Sequence, residues 1–248
     1  MSTGVPAPRV SVVIPVYDEE ESLETLHREL DAALAKVAGG VEIVFVDDGS
    51  RDRSLDRLRG IAARDARVRV VELDGNQGQT AAFAAGFAAA RGEITVTLDA
   101  DLQNDPADIP RLIDAFDAPG ADVVNGVRAQ RNDSWLRRVS SRLANGVRNR
   151  VTHESVTDVG CSLRAMRTEQ LRRIRPFRNM HRFLPTLLRL EGATRIVEIP
   201  VSHRSRRHGV SKYGIGNRLW AGIADLYGVR WLQARHLSVR VRRADPAE

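Results

Sequence analysis

Apolar, β-branched runs alternate with helix-spaced apolar positions through the first half of the chain. Val10 to Val16 is apolar apart from Ser11 and reads as a buried strand. From Glu20 to Val37, the residues Leu23, Leu26, Leu30, Ala33 and Leu34 recur at steps of three and four, which is one helix face. The alternation continues with a strand at Glu42 to Val46 and a helix at Asp52 to Ala66 with Leu55, Leu58 and Ile61 inward. Then come a strand at Val68 to Leu73, an alanine-rich helix at Gln77 to Arg91 stopped by Gly92, and a strand at Ile94 to Leu98. A short helix at Pro106 to Phe116 and a strand at Val123 to Val127 complete the series. Such units predict right-handed crossovers, hence an α/β fold with a mostly parallel central sheet flanked by helices. Ligands of such sheets bind beyond the carboxyl ends of the strands. Tyr17 to Glu19, Asp47 to Ser50, Asn76 to Gly78 and Asp99 to Gln103 all fall there.

After residue 130 the pattern changes. Ser134 to Val151 places Trp135, Leu136, Val139, Leu143 and Val147 on one helix face, surrounded by Arg137, Arg138, Arg142, Arg148 and Arg150. Tyr213 to Arg235 repeats the theme with Leu219, Trp220, Ile223, Leu226, Tyr227 and Trp231. Between them the pattern predicts a short strand or loop at Thr157 to Arg164, helices near Thr168 to Ile174 and His181 to Leu190, and a strand at Thr194 to Val201. Basic helices with aromatic faces suit the bilayer interface, and they also suit ordinary core packing; the pattern leaves both open. The expected organisation is a flexible N-terminus at 1–9, one half at 10–130, a second half with amphipathic C-terminal helices at 131–236, and a tail at 237–248.

Composition sharpens this division. The 248 residues are 42% hydrophobic and 28% charged, enough for one α/β domain with a core. Cys161 is the only cysteine, which excludes an internal disulfide and fits a reducing compartment. No secretory pattern opens the chain, and the apolar run Ala81 to Ala90 is about half a membrane span. The expected location is therefore the cytoplasm, peripherally on the membrane face. The net charge of +6 conceals a split: residues 1–120 hold 12 Lys+Arg against 22 Asp+Glu, and residues 121–248 hold 26 against 10. The first half suits a metal and a nucleotide. The second seeks anions such as lipid headgroups, phosphates or nucleic acid. A nucleic-acid binder would leave the acidic strand-end cluster unused, so no nucleic-acid partner is expected.

Asp99-Ala100-Asp101 is the chemical centre. An apolar strand leads into it, so two carboxylates emerge at a strand end with Gln103 two residues on. Hard oxygens converging on one point suit Mg²⁺ or Mn²⁺ beside substrate phosphates. The bland alternative is that Asp99 caps a turn and Asp101 is solvated. Lys212 runs against composition, since the chain has 36 arginines and two lysines. A compact ammonium beside Gly209 suits closure over a phosphate.

Five segments in order, SVVIPVYDEEESL, VDDGSRD, NQGQTAAFAAGFAAARGE, DADLQNDP and RRHGVSKY, resemble the family 2 glycosyltransferases of GT-A fold. More narrowly they resemble the polyprenyl-phosphate sugar transferases, the subgroup that includes dolichol-phosphate mannose synthase. The resemblance runs from about Val10 to Leu232. It implies that Pro15, Tyr17 and Glu19 line the nucleotide pocket, and that Asp48, with Asp47, receives hydrogen bonds from base or ribose. It puts Asn76 and Gly78 near the donor, and Asp99, Asp101 and Gln103 around a divalent metal and the diphosphate. Arg128, Arg142, Arg204, Arg206, Ser211 and Lys212 would face the acceptor phosphate, with Asp101, Arg128, Arg206 and Lys212 carrying catalysis.

The implied reaction moves a hexose, mannose before glucose, from a nucleotide sugar to a polyprenyl phosphate with inversion. Many relatives continue into transmembrane helices, so a separate membrane-spanning partner is a further expectation. The alternative is a related transferase acting on a hydroxyl of a glycan or lipid. A hydroxyl needs a carboxylate base, and in the TDVGCSLRAMRTE stretch only Asp158 stands where one could sit. A phosphate monoester, with a second pKa of about 6, is already anionic and needs capture instead. Asp158 could equally orient an arginine.

Overall fold

A computed structural model describes residues 7–119, 121–129, 146–205 and 216–237. Seven strands form one sheet: β1 (Val10–Val16), β2 (Val41–Asp47), β3 (Val68–Glu72), β4 (Ile94–Thr97), β5 (Val123–Arg128), β6 (Arg164–Arg167) and β7 (Ile196–Val201). Their order is β3-β2-β1-β4-β6-β5-β7. Every neighbouring pair is parallel except those made by β6, which runs antiparallel to both β4 and β5. The expected α/β fold with a mostly parallel sheet is therefore borne out, and its one reversed strand is a correction. Thr157 to Arg164 read as strand or loop; the strand begins only at Arg164 and lasts four residues, too short for a period to show.

Apolar alternation sorts the sheet's two faces. Val12, Ile14, Ile43, Phe45 and Val96 pack under α1 (Leu23–Leu34), α2 (Ser54–Arg64) and α4 (Ile109–Asp117). Val13, Val44, Val46, Val123 and Met166 pack under α3 (Gln79–Ala89), with Leu171 of α6 (Thr168–Arg173) and Leu184, Leu187 and Leu188 of α7 (Leu184–Leu190). A helical stretch at 146–152 (α5) and the long α8 (Gly216–Arg235) belong to the second half. Among the described residues, no helix is long and apolar enough to cross a membrane.

Pro15 sits in β1 without breaking it. The carbonyl of Val13 accepts from Leu98 N at 3.2 Å, so the alternation directs the position of Pro15's missing N–H to the same side. The β4 ladder ends at Val13, and nothing is forfeited. That early end of β4 opens the sheet's edge where Asp99 follows.

Candidate active site

Loops at the carboxyl ends of β1 to β4 meet at one rim of the sheet. Two of them are stitched together: Asp48 N donates to Val16 O (2.8 Å), Asp18 N to Ser50 Oγ (3.0 Å), Glu19 N to Ser54 Oγ (2.9 Å) and Glu20 N to Asp52 Oδ2 (3.1 Å). In return Arg51 N donates to Asp18 Oδ1 (2.6 Å) and Arg53 N to Glu20 Oε2 (3.0 Å). The chain from Pro15 to Glu19 is thereby held beside Asp47 and Asp48.

The two aspartates divide the work differently from expectation. The buried carboxylate of Asp48 accepts from Gln77 N (2.7 Å), Gly78 N (2.9 Å) and Asn76 Nδ2 (3.2 Å). It is spent on shaping the Asn76–Gly78 loop, and burial raises its pKa despite those donors. Asp47 accepts from Ser50 N through Oδ2 (3.2 Å), while its Oδ1 is buried with no hydrogen-bond partner. Asp47 thus offers the unsatisfied acceptor that a ligand would fill. Gly49 makes the packing possible. Its φ is +69°, and a Cβ there would lie 2.4 Å from the backbone carbon of Gly75.

The acidic centre follows β4. Gln79 Nε2, in the first turn of α3, donates to Asp99 Oδ1 at 2.9 Å, and the Ser162 side chain hydrogen-bonds the same carboxylate. Burial first, and then the charge of Asp101, push the Asp99 pKa up to about 6. Two carboxylates that repel each other at a strand end make a place for a cation. Asp101 accepts from both the side-chain amide and the backbone N of Gln103. Gln103 therefore orients Asp101 here, instead of standing as an independent ligand. Leu102 between them is buried with φ +60°, a left-handed conformation uncommon for leucine, which turns the chain sharply after Asp101. Among the described residues, no three His, Cys, Asp or Glu side chains gather around one point. The donor set fits a hard divalent ion held by two carboxylates and completed by substrate oxygens.

On the other side of β6 from this pair lies β5, which ends at Arg128 on the same rim. Because β6 is antiparallel, its first residue meets the end of β4, and Arg164 pairs with Thr97. The buried guanidinium of Arg164 donates to Asn125 Oδ1 (2.7 Å), His181 O (2.9 Å) and Val159 O (2.6 Å), with its charge felt at Asp99. Arg128 donates through Nε and Nη2 to Asp158 (2.7 and 2.8 Å), a bidentate pair in which Asp158 is buried. Gly160 lets Arg128 lie flat, since a Cβ there would stand 2.7 Å from Nη2. Asp158 orients an arginine, one of the two roles open from sequence.

Arg204 differs from expectation. Its guanidinium is held by Glu29 of α1 (2.8 and 2.9 Å) and by Asp105. It fastens a strap, since Arg204 N donates to Gln103 O at 2.7 Å, His203 bridges Asn104, and Ser202 N donates to Asp108 Oδ2 at 2.6 Å. The chain leading toward the expected phosphate loop thus runs against the aspartate turn. Arg142, Arg206, Ser211 and Lys212 lie outside the described residues. Gln79, Ser162 and Arg164 were not singled out from sequence. Gln79 lies within NQGQTAAFAAGFAAARGE, and Ser162 and Arg164 within TDVGCSLRAMRTE, yet nothing local marks any of the three as a neighbour of Asp99.

Comparison with known proteins agrees with this fold. The chain is 48% identical over 207 residues to an undecaprenyl-phosphate 4-deoxy-4-formamido-L-arabinose transferase of Edwardsiella ictaluri, covering 83% of this chain and 63% of that one. It is 39% identical over 223 residues to a dodecaprenyl-phosphate galacturonate synthase of Rhizobium johnstonii, covering 89% and 66%. The chain therefore spans less than two thirds of the length of these relatives. Among solved structures, glucosyl-3-phosphoglycerate synthase from Mycobacterium tuberculosis with Mn²⁺, UDP and phosphoglyceric acid superposes with a TM-score of 0.66 at 23% identity, covering 91% of this chain and 78% of that one. The same enzyme with Mg²⁺ and UDP gives 0.65 at 22% identity, covering 91% and 79%. These likenesses identify the fold as GT-A. The family model for glycosyl transferase family 2 matches residues 11–175, from β1 through the aspartate turn to α6, and the chain belongs to that family.

Proposed function

We propose that this chain transfers a sugar from a nucleotide donor to a polyprenyl phosphate, with inversion, at the cytoplasmic face of a membrane. What supports this reading is that the carboxylate pair Asp99 and Asp101, after β4, and Arg128 at the end of β5, held by Asp158, fall at one rim of the sheet on either side of β6. Residues 10–130 would bind the donor and residues 131–236 the acceptor. Mg²⁺ or Mn²⁺, held by Asp99 and Asp101 with the diphosphate, would neutralise the charge on the departing nucleoside diphosphate. Asp47 would accept from the base or ribose through its unpartnered oxygen, while Asp48 keeps Asn76 and Gly78 in place. Arg128, with Arg142, Arg206, Ser211 and Lys212, would capture the acceptor phosphate. One phosphate oxygen forms the new bond to the sugar's C1 as the bond from C1 to the diphosphate breaks. The electron pair leaves with the nucleoside diphosphate and no proton moves, so no base is required. The engagement of Asp158 by Arg128 disfavours the hydroxyl-acceptor alternative.

For the donor, mannose and glucose find no support in the relatives' names. A 4-deoxy-4-formamido-pentose or a uronic acid is the better starting expectation. The test is incubation of purified protein with undecaprenyl phosphate, Mg²⁺ or Mn²⁺, and labelled nucleotide sugars of all four kinds. Label is expected in a mild-acid-labile, organic-extractable product, abolished by EDTA and reduced at least about a thousandfold by Asp101→Ala, the scale of a lost charge-stabilising group. Label found only on water-soluble glycans would overturn the proposal.

A further inference from the structure

Large apolar side chains exposed among the described residues are four: Val147 (51%), Tyr227 (73%), Trp231 (64%) and Leu237 (83%). None lies in the donor half. Tyr227 and Trp231 are one helical turn apart on α8 and share a face, with Ala224 and Gly228, also exposed, on the same stripe. Arg235 continues that stripe a turn further on, and Arg230 lies beside it; both are exposed. The opposite face of α8 is spoken for. Val229 is buried, and Leu226 and Leu232 pack on the core beneath α3 and α7. Gln233 Nε2 donates to Thr152 O at 2.8 Å, which fixes α8 to α5, the helix that carries Val147 and the exposed Arg150.

We infer that the outer stripe of α8 is a docking face for an anionic phospholipid bilayer. A protein core does not leave a tyrosine and a tryptophan more than half exposed in register, and aromatic rings flanked by arginines match the headgroup layer, where a ring buries its body and a guanidinium meets phosphate. The choice of an anionic partner follows from charge: residues 121–248 carry 26 Lys+Arg against 10 Asp+Glu. The purpose of the face rests on the acceptor being a membrane lipid, but its test needs neither donor nor acceptor.

The experiment is flotation of the whole chain with vesicles of phosphatidylcholine alone or with a quarter phosphatidylglycerol, at low and at high salt. The chain is expected to float with the anionic vesicles and to be released by salt. Tyr227→Ser with Trp231→Ser is expected to reduce partitioning at least tenfold. Arg230→Glu with Arg235→Glu is expected to reduce it by at least tenfold on anionic vesicles and little on neutral ones, each lost arginine alone accounting for about fivefold. Both pairs are exposed, so melting temperature and affinity for a nucleoside diphosphate with Mn²⁺ should be unchanged. Three outcomes would overturn the inference. The wild type could stay with the lipid-free fraction, the variants could float as it does, or the aromatic pair could abolish self-association in solution, which would make a second copy the occupant. Failure of transfer to undecaprenyl phosphate with flotation intact would instead count against the proposed reaction alone.

Discussion

Asp158 accepts two hydrogen bonds from one guanidinium, at 2.7 and 2.8 Å, and that geometry governs how it acts. A carboxylate committed in this way holds Arg128 in one rotamer, so that less ordering remains when an anion arrives. Asp158→Asn retains the shape and removes the charge. It is expected to raise the acceptor KM about tenfold with a smaller fall in kcat, and to leave the pH profile of kcat unaltered. A general base would behave otherwise, with kcat falling by orders of magnitude and its acid limb disappearing. Steady-state kinetics across pH separates the two. At the same scale, the orphaned Oδ1 of Asp47 and the saturated carboxylate of Asp48 show that adjacent identical residues differ, one keeping an acceptor open and the other supporting a loop.

Elements carry the site because their ends are tied to one another more than to their own helices. The loops after β1 and β2 cap each other through Ser54, Asp52, Asp18 and Glu20, and the loop after β3 rests on Gly49. Gly49→Ala adds a Cβ where the backbone of Gly75 stands 2.4 Å away and φ is +69°. The expected cost is about 2 kcal/mol or more, a fall in Tm of about 4–8 °C, with weaker donor binding. Calorimetry and nucleotide titration measure both. The existence and type of these elements were readable in advance: β1 runs over Val10–Val16 as its apolar run required, and α1, expected over Glu20 to Val37, spans Leu23–Leu34 and buries Leu23, Leu26, Leu30, Ala33 and Leu34. What could not be read was β6, since four residues, two of them arginine, carry no period. Nor could partners be read. The resemblance put Arg204 at the acceptor phosphate, yet its carboxylate partner Glu29 is 175 residues away.

At the scale of the whole molecule, stability depends on a group that belongs to neither substrate. The His181 side chain lies against Phe83 and shares a hydrogen bond with Thr80 at 2.8 Å, joining α3 to the turn before α7. Burial first, and then the nearby Arg182 and Arg164, depress its pKa to about 3. The folded protein keeps this imidazole neutral, whereas the unfolded chain takes up a proton below about pH 6.5. Stability is therefore fully present above that pH and falls as pH drops toward 3, by up to about 1.4 kcal/mol per unit from this one group. Chemical denaturation at pH 7, 6 and 5 should show the decline, and His181→Asn should flatten it. The mostly parallel sheet flanked by helices and the strand-end position of Asp99 were legible from the alternation of apolar runs and helix-spaced apolar positions. The placement of Gln79, Ser162 and Arg164 around Asp99 was not, because it depends on how a reversed strand brings its first residue to the rim.

The strap from Ser202 to Arg204 has a thermodynamic corollary. Arg204 N is bonded to Gln103 O, and Gln103 in turn grips Asp101. A ligand that displaces the strap must therefore shift the aspartate turn, and occupancy of the turn must bias the strap. Linkage makes such influence mutual: under the proposed reaction, whatever factor a lipid phosphate applied to nucleotide affinity, the nucleotide would return in equal measure. Titrating each in the presence of the other should yield one shared factor, and Arg204→Ala, which unfastens the strap from α1, should bring it toward unity.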